Sequence, residues 1–324
     1  MHRSFFNPVM CAFSAMAVIS LTGLVTDNVA VAAEPVKLIV PYPPGGNADN
    51  LARLFADRLS KELDRPVVVE NKGGASGAIG AQAVARAKPD GNTLMLAPTG
   101  VVTITPFLRK VNYDPILDFE PIAKLTASVG LVAARKDFPG STLQDLVKYE
   151  KAHQGKLTYG SAGLGTLTHL QALLLANQLG IKALHVPYKG SGEAMNDVLA
   201  GRIDFQYDSV VLPAVMDGRL KALAVVDRMN IPALKDVKTI AEQGVQLKTS
   251  NWYGLFAPKG TPSKLIEAYA AASRKVITAP QMAEHLFQFA QLPAFEDHQK
   301  FKQSSARDVA LYKEIIADNH ITIN

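Results

Sequence analysis

The sequence is poor in the features that drive several common chemistries. Its 324 residues include one cysteine, one tryptophan and 7% aromatics. A single cysteine excludes an internal disulfide and a Cys-rich zinc site. Excess charge is scarce too: 34 Lys+Arg against 29 Asp+Glu gives a formal +5 without clustering, which does not favour nucleic-acid binding. No two of the seven histidines stand at i, i+4 and no H-E-x-x-H occurs, which argues against a metal site. There is no Walker-type G-x-x-x-x-G-K-[ST] and no G-x-S-x-G elbow. The string Gly163-Leu164-Gly165-Thr166-Leu167-Thr168 lacks the third glycine of a dinucleotide fingerprint. No cofactor and no catalytic residue is indicated. Beyond residue 33, no stretch approaches the roughly 18 apolar residues of a membrane span. At 48% hydrophobic and 19% charged, the chain can still bury an ordinary core, and its length suits about two domains.

Residues 1–33 read as a secretory signal. Arg3 supplies the positive start, and 9–25 is mostly apolar, broken by Ser14, Ser20, Thr22 and Gly23. Ala30-Val31-Ala32 and Val31-Ala32-Ala33 both fit a small-x-small cleavage site. The alternative is a retained anchor, against which stand those breaks and the lack of stop-transfer charges. Cys11 precedes most of the apolar run, a poor place for a lipid. Cleavage after Ala32 or Ala33 removes the sole cysteine and releases a soluble chain outside the cytoplasm.

The rest alternates strand and helix. Val36-Lys37-Leu38-Ile39-Val40 reads as a buried strand. Leu51, Phe55, Leu59 and Leu63 then recur at helical spacing, with Asn47 as N-cap. Further strands fall at 67–69 and 93–97, around an Ala-rich helix ending near Ala87. Residues 36–97 are therefore βαβαβ, which implies a mostly parallel sheet. A second unit follows: strands at 131–134, 157–159, 183–187, 203–207 and 220–226, and helices at 166–179, at 193–200 and after a Ser141 cap. After residue 250 comes one strand, 252–257, and three helical stretches, roughly 262–278, 280–290 and 296–316. Helices without their own strands must pack on something already built. The expected domains are 34–125 plus 251–324, a discontinuous α/β lobe, and 126–250, a second α/β lobe. Crossings near 126–129 and Ser250 form a double hinge, and the lobes face each other across a cleft.

In open parallel sheets, ligands gather at the carboxyl ends of strands, where helix N-termini point. Five turns there are rich in glycine, proline and small hydroxyls: Pro41-Tyr42-Pro43-Pro44-Gly45-Gly46, Gly73-Gly74-Ala75-Ser76-Gly77, Pro98-Thr99-Gly100, Gly160-Ser161-Ala162-Gly163-Leu164-Gly165-Thr166, and Tyr188-Lys189-Gly190-Ser191-Gly192. Glycine lets backbone N–H groups approach a ligand, and helix dipoles favour an anion. Any one could be only a tight turn; together they indicate a small-anion site, a carboxylate before a nucleotide. Ser76, Thr99, Ser161, Thr166 and Ser191 offer hydroxyls. His169 either donates into the cleft or packs behind its turn. Asp208 either meets a hydroxyl or amino group of the ligand or anchors a loop. Lys189 either pairs with a second carboxylate or is solvated. Asp49 reads as structural, Trp252 as hinge packing, and Tyr42 can lay its ring along a ligand.

These residues resemble the Bug (TctC-like) family of periplasmic receptors of tripartite tricarboxylate transporters. The matching segments are Leu38 to Gly46 with Asp49 and Arg53, Val69 to Gly77 with Gly80, and Pro89-Asp90-Gly91-Asn92-Thr93-Leu94. Later come Gly163-Leu164-Gly165-Thr166 with His169-Leu170, Val186-Pro187-Tyr188-Lys189-Gly190, Gly201-Arg202-Ile203-Asp204, and Trp252 to Pro262. The resemblance implies a two-lobed, type II-like Venus-flytrap fold closing on a small carboxylated ligand. It implies a grip by backbone amides, hydroxyls and ordered waters. By matching motif, Tyr42, Gly45, Gly46, Ala75 and Ser76 would act from the first lobe. Ser161, Thr166 and His169 would act from the second, with Asp208 on the variable side; Thr99, Gly165 and Lys189 complete the candidate set. The implied partners are the large and small subunits of a membrane transporter, with the receptor a monomer. Gln291-Leu292-Pro293-Ala294 departs from a Gly-x-x-Pro that the family often carries, in what is expected to be a surface turn. The reading is a solute-binding receptor without catalytic activity. Its rivals are a sensory adaptor for a membrane kinase, a secreted hydrolase and the binding half of a transcription regulator.

Overall fold

The computed structural model describes residues 34–227, 231, 234–247 and 249–323, so the expected leader, 1–33, lies outside the described residues. Strands β1 (Val36–Val40), β2 (Val67–Asn71) and β3 (Thr93–Pro98) alternate with helices α1 (Asn47–Leu63) and α2 (Ala78–Ala85). β1 lies between β2 and β3 and is parallel to both; the parallel pairing is what the βαβαβ pattern predicts. Short helices α3 (Thr99–Thr103) and α4 (Thr105–Leu108) lead to β4 (Phe119–Ser128). The chain then lays down β5 (Leu131–Arg135), α5 (Leu143–His153), β6 (Thr158–Ser161), α6 (Leu167–Leu179) and β7 (Leu184–Pro187). α7 (Ser191–Leu199), β8 (Phe205–Tyr207), α8 (Leu212–Met216) and β9 (Leu220–Val225) follow. It returns through β10 (Trp252–Pro258), α9 (Ser263–Thr278), α10 (Pro280–Phe287), β11 (Gln291–Glu296) and α11 (His298–Asp318).

Two sheets result, ordered β11-β4-β10-β3-β1-β2 and β7-β6-β8-β5-β9. Both are mixed. β10 runs antiparallel to β3 and β4, β11 is antiparallel to β4, and β5 is antiparallel to β8 and β9. The first sheet therefore departs from the mostly parallel expectation wherever returning chain is inserted. The expected all-helical tail also contains β11, and the expected surface turn at 291–294 is part of this strand. Pro293 is tolerated because β11 is an edge strand, free of ladder bonds on its outer side. Gln291 is buried, and its Oε1 accepts from Thr126 Oγ1 at 2.9 Å and Ser128 Oγ at 3.0 Å.

Two helix starts differ from expectation. Gly46, not Asn47, N-caps α1, and the Asn47 side chain instead reaches across to Ser209 Oγ at 2.9 Å. Thr142, not Ser141, caps α5 in a reciprocal box with Asp145. Asp145 is acceptor to Ser141, Thr142 and Lys148 at once, and these bonds hold its carboxyl down at about 2.

Each lobe has its own core. The α1 stripe of Leu51, Phe55 and Leu59 is fully buried against Val36, Leu38 and Val40, with Ile266 and Tyr269 of α9 on the same face. The opposite face of that sheet packs Ile39, Met95, Trp252, Phe256 and Phe301. Trp252 and Phe301 meet edge to face with centroids 5.0 Å apart. Gly254 permits this: a Cβ there would stand 2.4 Å from the Phe301 ring. The second sheet is covered by α5 and α6 on one side, through Leu146, Leu175 and Ala176, and by α7 and α8 on the other, through Val198 and Leu212. At about 1.5–3 kcal/mol for each large side chain fully buried, these clusters dominate the folding drive.

The lobes also touch one another. At the crossings, Ser128 N–H donates to Asn251 O at 2.9 Å and Val129 N–H to Ala290 O at 2.8 Å, prolonging the β4–β10 and β4–β11 ladders of the first sheet. Beside them an apolar cluster joins Ile104, Tyr312, Ile316 and Ile321 to Leu167, Leu170 and Leu174 of α6. Tyr312 Oη accepts from Ser250 N–H at 2.9 Å and donates to Ser250 O. Ser76 Oγ donates to Leu164 O across the cleft.

Candidate functional site

Between the lobes lies a cavity of about 330 Å³. The starts of α1, α3, α6 and α7, and of the one-turn helix Ser209–Val211, all line it. The first N–H groups of a helix have no acceptor within it. Those at Asn47, Ala48, Leu167, Thr168, Ser191 and Gly192 therefore belong to the walls of one cavity. Each helix start carries a partial positive charge, worth about 0.3–1 kcal/mol to a neighbouring anion and about 2 kcal/mol where partly buried.

Local sequence fixes each wall. The loop from Pro41 to Gly46 is tied down by Asp49, which accepts from Gly45 N–H, Arg53 and Asn71. Burial acts to raise the Asp49 carboxyl, but those bonds outweigh it and hold the group below the ordinary carboxylate range. Thr166 N-caps α6: its Oγ1 donates to Gly163 O at 2.7 Å and accepts from His169 N–H at 3.4 Å. The turn before it needs Gly163 and Gly165, at φ 129° and 78°.

The side chains around the cavity bring no cation among the described residues. They bring two carboxylates, exposed Glu193 and buried Asp208. Asp208 accepts from Ser191 Oγ, Gln206 Nε2 and Val210 N–H. Burial nonetheless pushes its carboxyl up, and burial together with Asp208 pushes the Tyr42 phenol up. A ligand group facing Asp208 is best served by being a donor.

The candidate residues divide into three groups. Tyr42, Gly45, Gly46, Thr166 and Asp208 line this cavity. Ala75, Ser76 and Lys189 line a neighbouring one, which shares Tyr42, Pro43, Pro44 and Ala162 with the first. Thr99, Ser161, Gly165 and His169 line neither. Thr99 is turned inward, its Oγ1 donating to Trp252 O at 3.0 Å and accepting from Trp252 N–H at 2.8 Å. Ser161 Oγ is 2.6 Å from His185 Nε2, and Gly165 N–H donates to His169 Nδ1 at 3.1 Å. Of the two readings of His169, packing behind its turn is the one the geometry supports. Sequence reasoning passed over Ser128, Asn251, Ser209 and Tyr253, which also line the cavity. The first two sit at the interlobe crossings, and no motif marks them.

Two α/β lobes around a cavity walled by helix starts define a two-lobed solute-binding protein. The sequence model described as "Tripartite tricarboxylate transporter family receptor" matches residues 51–321, and the chain belongs to this family. It is 37% identical over 265 residues to a UPF0065 protein of Pseudomonas sp. (strain P51), covering 80% of this chain and 78% of that one. Its fold is similar to the periplasmic binding protein BugD, with a TM-score of 0.83 and 33% identity, over 89% of this chain and 98% of that one. It is also similar to MatC from Rhodopseudomonas palustris with bound malate, with a TM-score of 0.79 and 31% identity, over 87% and 98% of the two chains.

Proposed function

We propose that the protein captures a small carboxylated metabolite between its lobes in the periplasm and delivers it to the membrane subunits of a tripartite tricarboxylate-type transporter. The observation that carries this is the convergence of helix starts on an interlobe cavity whose side chains, among the described residues, supply no cation. Peptide dipoles at the helix starts are what such a cavity offers a carboxylate, since the Thr166 and Ser191 hydroxyls already donate to Gly163 O and Asp208. The bound malate of the structurally similar MatC is of that chemical class. The receptor acts as a monomer. Residues 1–33 act as a cleaved leader.

Ligand contacts come from both lobes: Tyr42, Gly45 and Gly46 on one side, Thr166 and Asp208 on the other. Ser161, Gly165 and His169 brace the second-lobe turn from behind, and Thr99 braces the return strand β10. The lobes, 34–125 with 251–324 and 126–250, move about the crossings at 126–129 and Ser250. A ligand bridging them favours the closed arrangement by its differential contacts. A thermal-shift screen of the chain from residue 34 against a carboxylic-acid panel tests the reading. Binding to the native state alone raises the melting temperature by mass action. A panel in which no acid shifts it would sink the proposal.

A further inference from the structure

The second cavity, about 620 Å³, differs in charge from the first. Arg109 and Lys189 line it, one from each lobe, and neither is in an ion pair with a described residue. Arg109 Nη2 donates to Leu164 O at 3.2 Å, while its Nε is buried without an acceptor. Nε is enclosed and out of reach of a ligand, whereas Nη1 makes no hydrogen bond among the described residues and is the donor left for an anion oxygen. The floor is the loop from Gly73 to Gly77. Four consecutive residues there have positive φ: Gly74 at 122°, Ala75 at 48°, Ser76 at 58° and Gly77 at 92°. Two of them are not glycine, a strained arrangement of the kind that gathers at ligand sites and backbone anion nests. The two cavities share Tyr42, Pro43, Pro44 and Ala162 as a common wall.

We infer that this second cavity is an anion subsite, in which Arg109 and Lys189 hold a carboxylate or similar oxyanion beside the main cavity. The anion is either the distal carboxylate of a ligand whose other end lies in the main cavity, or a separate small ion. Only the first source rests on the carboxylate reading above.

Calorimetric titration of the wild type, Arg109→Met, Lys189→Met and Arg109→Lys with potassium sulfate, and with hexanoic against adipic acid, tests this. Arg109→Met also removes the bond to Leu164, so hexanoic acid controls for lobe closure. For a shared ligand, adipic acid binds the wild type more tightly than hexanoic acid. Each Met variant then loses about tenfold of that advantage, the effect of one charge-assisted hydrogen bond. Hexanoic-acid affinity stays unchanged in Lys189→Met and falls in Arg109→Met only by the lost contact to Leu164, the baseline against which the adipic-acid loss is read; Arg109→Lys recovers part of that loss. For a separate ion, sulfate binding shows the same dependence on both residues and persists with the acid bound. Sulfate dependence without binding of any acid would retain this subsite and defeat the carboxylate reading. The inference is overturned if neither adipic acid nor sulfate distinguishes the Met variants from the wild type, or if neither probe binds the wild type.

Discussion

His169 and His185 stack face to face, their ring centroids 4.1 Å apart and their planes within 19°. Tyr159 lies against both, 4.9 Å from His185 and 6.4 Å from His169 between ring centroids. His169 Nδ1 accepts from Gly165 N–H, so that nitrogen carries no proton. Burial lowers His169 to about 4; burial, then the neighbouring His169, lowers His185 to about 3. The pair is a neutral brace behind the turn that starts α6.

A pH dependence follows from that brace. Both folded-state values lie below the unfolded value of about 6.5, so the unfolded chain takes up protons first as pH falls. The stabilisation is present in full above about pH 6.5. It is lost as pH falls toward the folded values of about 4 and about 3. Asp145, held at about 2, adds its own loss as pH falls through the ordinary carboxylate range toward that value. Melting temperature should therefore drop between pH 6.5 and 4.5 in the wild type, and less steeply in His185→Phe. A flat profile over that interval would refute the assignment.

Thr166→Ala separates capping from binding. Loss of the cap should cost about 1 kcal/mol of stability. It should also weaken any acid found in the screen, because Thr166 lines the main cavity and orders the first turn of α6. Thr166→Ser keeps the capping oxygen and should retain most of both. Parallel urea melts and calorimetry provide the check. Unchanged acid affinity in Thr166→Ala would remove α6 from the site.

Much of the architecture is legible in the sequence, because β1, β2, β3, α1 and α6 obey simple periodicities. β4 is not. Pro121, Glu120 and Lys124 interrupt its apolar run, and the charges are satisfied only in the fold, Glu120 by Lys259 and Lys302, and Lys124 by Glu296. β11 hides behind Pro293 because its place at the sheet edge is a tertiary fact. At the site, glycine-rich turns locate the loops but not the direction their side chains face. Thr99 looks like an available hydroxyl and is turned into the sheet, while its neighbours Pro98 and Gly100 line the cavity. Arg109 carries no motif: it follows a short helix, and only the fold brings it to Leu164, 55 residues away.

Asp208 should set ligand preference. It is a buried carboxylate in a cavity without a side-chain cation among the described residues. It will favour acids bearing a hydroxyl or ammonium group over the unsubstituted acid. Asp208→Asn removes the charge while keeping an acceptor, and this preference should shrink by about tenfold. Affinity for the unsubstituted acid should hold or rise, since a group able to carry negative charge has been replaced by a neutral amide. Malic against succinic acid is a direct pair to titrate. A preference identical in Asp208→Asn and wild type would show that Asp208 only anchors its loop.

The end of the chain offers a handle on lobe closure. Ile321 packs with Ile316 and Tyr312 against Leu167 and Leu170 of α6, and the space beside Gly165 is closed by Ile323 at 3.1 Å from a Cβ placed there. These contacts lie past the end of α11, outside the core of either lobe. They join the tail to the helix start that lines the main cavity. The double variant Ile321→Ala and Ile323→Ala should therefore leave each lobe folded and lower the closed population of the unliganded protein. Apparent affinity falls in proportion to the binding-competent fraction, so a drop of about threefold to tenfold in acid binding is expected. Small-angle scattering should show a larger radius of gyration without ligand, returning to the wild-type value at saturation. A lowered melting temperature with unchanged affinity and unchanged radius would mean that the tail stabilises the fold without influencing closure.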